Sequence, residues 1–319
     1  MIYAVWIPLL IPLLAVPVAR RAAGSLPPRA AAWSLAGCSL LLAACSTAVL
    51  GLLALGGLLR LAPVASLDHL SPRLLGDHTW LTVPAAWLAA GLLVVGLARA
   101  GWGLTRQWRE LRSAHEAAGP GEDDDLAIRP GPYPYAYALP GRRGGRGRVV
   151  VSAAMLRALK PDEREALFAH ERAHLAGRHY LFLGAGQAAA VLHPALRGLR
   201  EPLAYALERW ADEAAAEAVG DRRLAARAIS RAALAAHDAK AAVRGPSVAL
   251  GVASGPVPRR VAALVGHDER QQGSRGARVQ RLVAAVLLGC LLASTASAMH
   301  AAHDLHGTVE TAQSDTTPR

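Results

Sequence analysis

The chain has 319 residues, 53% of them apolar and 18% charged, with a formal net charge of +11. That length holds two domains of ordinary size, and long uncharged runs at both ends exclude a disordered or fibrous protein and indicate a membrane protein with an inserted polar part. The three cysteines, Cys38, Cys45 and Cys290, all lie in apolar runs. The polar part therefore has neither a disulfide framework nor a thiolate metal site, and any metal there must use His, Asp or Glu. Much of the positive charge is arginine flanking apolar segments, where it reads as topology information. This makes anionic lipid a simpler partner than nucleic acid, and no direct nucleic-acid binding is expected.

The first apolar run, Ile2 to Ala19, has its basic residues Arg20, Arg21 and Arg29 after it rather than before it, the wrong polarity for a cleaved signal peptide. Pro8, Pro12 and Pro17 are better tolerated in a packed membrane helix than in a soluble one. A first span over 2–19 follows. Trp33 to Leu59 and Trp80 to Ala98 are long enough for the second and third spans. Leu282 to Ala298, preceded by Arg275, Arg278 and Arg281, is a shorter fourth. Arginines after spans one and three and before span four place the intervening polar domain in the cytoplasm and both termini outside. The implied layout is a membrane region over 1–104, a cytoplasmic domain over 105–281, a fourth span over 282–298 and a short outer tail over 299–319. That tail is too short for a sensor domain with its own core.

Inside the polar part, Ser113 to Ala127 reads as a solvated acidic linker. Tyr135 to Leu139 and Arg148 to Val151 fit a hairpin whose tip carries Arg142, Arg143 and Arg146, read as a solvated or lipid-facing turn. The strand Arg148 to Val151 is also expected to offer an edge to an extended substrate.

From Pro161 the pattern turns helical, with Asp162 and Glu163 in the first turn. This helix contains His170-Glu171-Arg172-Ala173-His174. Residues four apart share a helix face, so two imidazoles can meet one zinc ion while the carboxylate between them points to its open side. A catalytic site usually needs a third protein ligand. The second helical pattern, Pro202 to Val219, carries Glu208 and Asp212 four apart. Glu208 could complete the ligand set, and Asp212 could accept the free ring N–H of a ligand histidine; the bland alternative is a surface helix with both acids paired to bases. His179 faces away from the pair if the helix continues and so reads as a helix C-terminal cap or core contact rather than a ligand; the apolar stretch Tyr180 to Leu196, which includes His193, reads as a helix packed in the domain or against the bilayer. No oxyanion-stabilising residue stands out; Arg259 and Arg260 are candidates.

The order AYALPG (Ala136 to Gly141), VVVSAAML (Val149 to Leu156), HERAH (His170 to His174), RH (Arg178, His179) and ERWADEAAA (Glu208 to Ala216) is similar to integral-membrane zinc peptidases of the gluzincin kind. Three spans before the motif and one after most resemble the BlaR/MecR-type family, whose best-known members are beta-lactam sensor-transducers; HtpX-type quality-control proteases share the motifs with another span layout. The resemblance implies a mainly α membrane protein whose cytoplasmic part is an α+β, zincin-like metalloprotease domain. It further implies zinc held by His170, His174 and Glu208, Glu171 as general base and Asp212 supporting a ligand. The implied partner is a protein substrate, such as a transcriptional repressor, beside the bilayer. The large outer penicillin-binding domain of beta-lactam sensors has no counterpart after the last span. The rival readings are an HtpX-like quality-control protease and a non-enzymatic membrane receptor or scaffold with structural zinc.

Overall fold

The structure, a computed structural model, describes residues 2–24, 26–59, 79–119, 125–142, 145–237, 256–266, 285, 288–304 and 306–307. Three long helices come first: α1 (Ile2–Ala23), α2 (Pro28–Leu58) and α3 (Thr79–Ala118). α2 and the Val83–Ala118 part of α3 are long and apolar enough to cross a membrane. The first expected span lies in α1. The fourth, 282–298, lies partly outside the described residues, and its described part joins a last helix, α10, over 288–304.

α1 holds Pro8, Pro12 and Pro17. Pro12 has no N–H to give the Pro8 carbonyl four residues back. The gap is filled from the neighbouring helix: the Ser46 hydroxyl lies 2.7 Å from Pro8 O and 2.9 Å from Leu42 O. Much of the buried face of α2 consists of small residues, including Ala31, Ala32, Ala36, Cys38 and Ala43, which let helices approach closely. At Gly57 a Cβ would stand 2.1 Å from that of Ala86 in α3. Large apolar side chains on α3, among them Trp87, Leu88, Val94, Trp102 and Trp108, point outward, a surface suited to lipid.

The linker expected over Ser113 to Ala127 is helical through Ala118 and strand from Leu126, and its residues 120–124 lie outside the described residues. Two i,i+4 ion pairs, Arg106–Glu110 and Arg112–Glu116, support this end of α3. His115 anchors it, with Nδ1 2.7 Å from Leu111 O and Nε2 2.9 Å from Pro140 O. The helix stops at Gly119, whose φ of +73° suits glycine.

The hairpin forms between β2 (Ala136–Leu139) and β3 (Arg148–Ser152), with Ala136 opposite Val151. A third strand, β1 (Leu126–Arg129), pairs parallel to β3, giving the order β1-β3-β2. This overturns the edge expected at Arg148 to Val151. β3 is central and buried along its whole length, so its backbone groups are taken on both sides, and the sheet edges belong to β1 and β2.

After β3 come α4 (Ala153–Ala158), α5 (Pro161–Ala176), α6 (His179–Leu192), a 3-10 turn over Pro194–Leu199, α7 (Arg200–Val219), α8 (Arg222–His237) and α9 (Val257–Val265). One core joins Val151, Met155 and Leu167 to Ile229 of α8 and Leu264 of α9. A second crosses the expected domain boundary: Phe182, Ala189, Leu196, Leu203 and Leu207 pack with Ala15, Ala31, Leu35 and Leu42. The chain between the two candidate ligand helices is therefore built into the bundle of α1 and α2.

Candidate metal centre

α5 starts with Pro161, and the Glu163 carboxylate accepts from the Lys160 backbone N–H at 2.9 Å, which closes its first turn. The same carboxylate meets Arg231 of α8 at 2.9 Å. This fixes the helix axis and presents His170, Glu171 and His174 on its buried face. α7 lies across α5 and brings in Glu208 and Asp212, one turn apart and both buried.

The ring nitrogens His170 Nε2 and His174 Nε2 are 3.1 Å apart. Glu208 places Oε2 3.6 Å from the first and Oε1 3.8 Å from the second. Ligand atoms of His170, His174 and Glu208 all lie within 4.8 Å of one another, and the three side chains are buried. Glu208 Oε2 also pairs with a buried arginine, while Oε1 faces His174. Two imidazoles and a carboxylate converging in a buried site fit a tetrahedral, borderline-soft cation such as zinc. Asp212 Oδ1 stands 3.1 Å from His170 Nδ1, on the ring edge opposite the convergence point. Glu171 is fully buried on the same turn.

Arg260 on α9, one of the two oxyanion candidates, takes a different place from the one expected. It is 1% exposed, with Nη1 2.6 Å from Glu208 Oε2, Nη2 2.5 Å from Asp212 Oδ1 and Nε 2.8 Å from Asp212 Oδ2. Its guanidinium is thus committed to holding the two carboxylates of α7. Arg259, the other oxyanion candidate, lies exposed over the Tyr205 ring at 4.6 Å.

His179 is a buried core contact outside the ligand group, as expected, but it does not face away from the pair. The helix does not continue past Ala176: Gly177 caps it, Arg178 takes a left-handed φ of 49°, and α6 begins anew. The turn swings His179 back, so that its Nδ1 lies 2.6 Å from His174 Nδ1. The break hid this in the sequence, since five-residue spacing on one helix would have separated the two rings. His193 caps α6 and places Nε2 3.1 Å from Leu9 O of α1.

The charges are strongly coupled. Burial opposes a proton on His170, but hydrogen bonds to Asp212 and Glu208 and their charges prevail and raise its pKa to about 9. His174 is driven well below the ordinary histidine value, by burial first and then by His170. Burial, with His170, lowers His179 to about 4. Burial would raise the Asp212 carboxyl, yet Arg260 and His170 hold it below its usual range.

Residues 104–196 match the family described as Peptidase family M48. The match covers less than a third of the chain and includes His170, Glu171, His174 and His179, while Glu208, Asp212 and Arg260 lie beyond it. No curated protein and no solved structure matches the chain. The match supports a metallopeptidase, and the buried His-His-Glu group lies where such an enzyme needs one.

Proposed function

We propose that this chain is a membrane-anchored zinc endopeptidase that hydrolyses peptide bonds of a protein held close to the inner leaflet. The observation that carries this reading is the convergence of His170 and His174 from α5 with Glu208 from α7 in one buried cluster. His170, His174 and Glu208 would hold the ion, and Asp212 keeps His170 oriented through Nδ1. When bound, zinc supplies Lewis-acid chemistry, polarising a carbonyl and making water more acidic. Glu171 is the general base: its carboxylate takes the proton of the attacking water and passes it to the leaving amine. Arg260 orients the Glu208 and Asp212 carboxylates and offsets charge that three buried acids would otherwise accumulate.

In the sensor-transducer resemblance the substrate is a cytoplasmic repressor and the role is regulated signalling. The shared core of α1, α2, α6 and α7 favours it, because it puts membrane helices in direct contact with the segment between the ligands. Quality control of membrane proteins uses the same chemistry on other substrates, and a receptor with structural zinc would need no general base. Comparing protein fragments in cells carrying wild type or Glu171→Ala separates these. We expect Glu171→Ala to keep its zinc and lose about 10²–10⁴-fold of its turnover. Undiminished proteolysis in that variant would refute the assignment, and a single accumulating DNA-binding substrate would point to signalling.

A further inference from the structure

We propose that His179 is a positioning residue: it accepts a hydrogen bond from His174 Nδ1–H and thereby fixes Nε2 of His174 as the atom that faces the metal. This rests on the zinc reading above. A neutral imidazole has one nitrogen that donates and one that accepts. His174 turns Nε2 toward His170 Nε2 at 3.1 Å and Glu208 Oε1 at 3.8 Å. For that nitrogen to offer a lone pair, the proton must sit on Nδ1 and needs an acceptor. The atom it meets is His179 Nδ1, at 2.6 Å.

His179 must then carry its own proton on Nε2. That nitrogen is buried and has no hydrogen-bond partner among the described residues, so packing rather than a further hydrogen bond orients the ring. The seat is well formed. The Trp210 ring centroid is 4.6 Å away and that of Phe182 6.4 Å away. The other wall is the backbone of Gly177, where a Cβ would come within 2.4 Å of His179 Nε2. α2 backs the seat from behind, with Trp33 edge-on to Phe182 at 4.8 Å and Arg29 over Trp210 at 5.4 Å. An imidazole also suits the local charge. Glu171, Glu208 and Asp212 are already buried around one arginine, and a carboxylate in place of His179 would add a fourth buried acid.

The test measures zinc affinity of detergent-purified, full-length protein by chelator competition, for wild type, His179→Phe and His179→Asn. Phe fills the ring site without an acceptor; Asn sets Oδ1 close to the place of Nδ1. We expect His179→Phe to bind zinc 10–100-fold more weakly and His179→Asn to stay within about threefold of wild type. The proposal is overturned if His179→Phe matches wild type, or if His179→Asn falls as far as His179→Phe. Should the Phe variant fail to accumulate, ring-nitrogen NMR of zinc-loaded wild type decides alone: His174 protonated at Nδ1 is the expected result, and zinc on Nδ1 the contrary one. A wild type that takes up no zinc would remove the peptidase reading along with this one, whereas zinc-binding wild type with an unaffected Phe variant removes only this one.

Discussion

His170 illustrates how one residue carries two incompatible occupants. In the metal-free protein Asp212 and Glu208 raise its pKa to about 9 against the cost of burial; zinc requires the neutral ring. Metal binding at pH 7 should therefore release about one proton from His170, and apparent affinity should rise about tenfold per pH unit up to near 9. Calorimetry in buffers of different ionisation enthalpy measures this, and zero proton release would contradict the described hydrogen bonding. The same shift has a stability consequence with a definite sign. A raised histidine pKa contributes stability that is fully present below the unfolded value of 6.5 and is lost as pH rises through about 9. Arg260 supplies a second prediction at this scale. Replacing it by Leu leaves Glu208 and Asp212 buried without their cation, which should cost the metal-free protein about 3–5 kcal/mol. Thermal unfolding with and without zinc checks it; an unchanged metal-free protein would show that the two carboxylates do not depend on Arg260.

Among the elements, α5 was the most legible, because its start signals and its motif spacing act within one helix and need no knowledge of the fold. Glu208 and Asp212 were legible as a pair on one face, but their approach to α5 depends on the packing of α7 and had to await the structure. His179 was legible as a core contact but not as a neighbour of His174, because a left-handed Arg178 interrupts the helical periodicity. Arg260 was visible only as half of an Arg-Arg pair, with nothing in its neighbourhood to reveal a partner 48 residues away. β1 is four residues long and follows an acidic run, too little pattern to mark a strand. In the membrane part, the three prolines of α1 indicated a packed helix, and the Ser46 hydroxyl shows how such packing is achieved. Ser46→Ala should weaken the α1–α2 contact by about 0.6 kcal/mol, and by under ~2 kcal/mol in any case. Unfolding in detergent measures it, and a stabilised variant would mean that the Pro8 carbonyl has another donor.

For the whole molecule, the N-terminal helices and the candidate metal centre are joined by packing. α6 and the turn after it lie against α1 and α2, and Phe182 and Trp210 lead from Trp33 and Arg29 to His179 and so to His174. The shared core joins residues on the two sides of the boundary expected near residue 104. The central claim is that two imidazoles of α5 and one carboxylate of α7 jointly hold the ion with which Glu171 works. Metal analysis of purified wild type, Glu171→Ala and Glu208→Ala, alongside their cleavage products in cells, tests it most directly. One zinc per chain in the first two, little or none in the third, and cleavage only by wild type is the predicted result; a Glu208→Ala protein that keeps its zinc and still cleaves would contradict it.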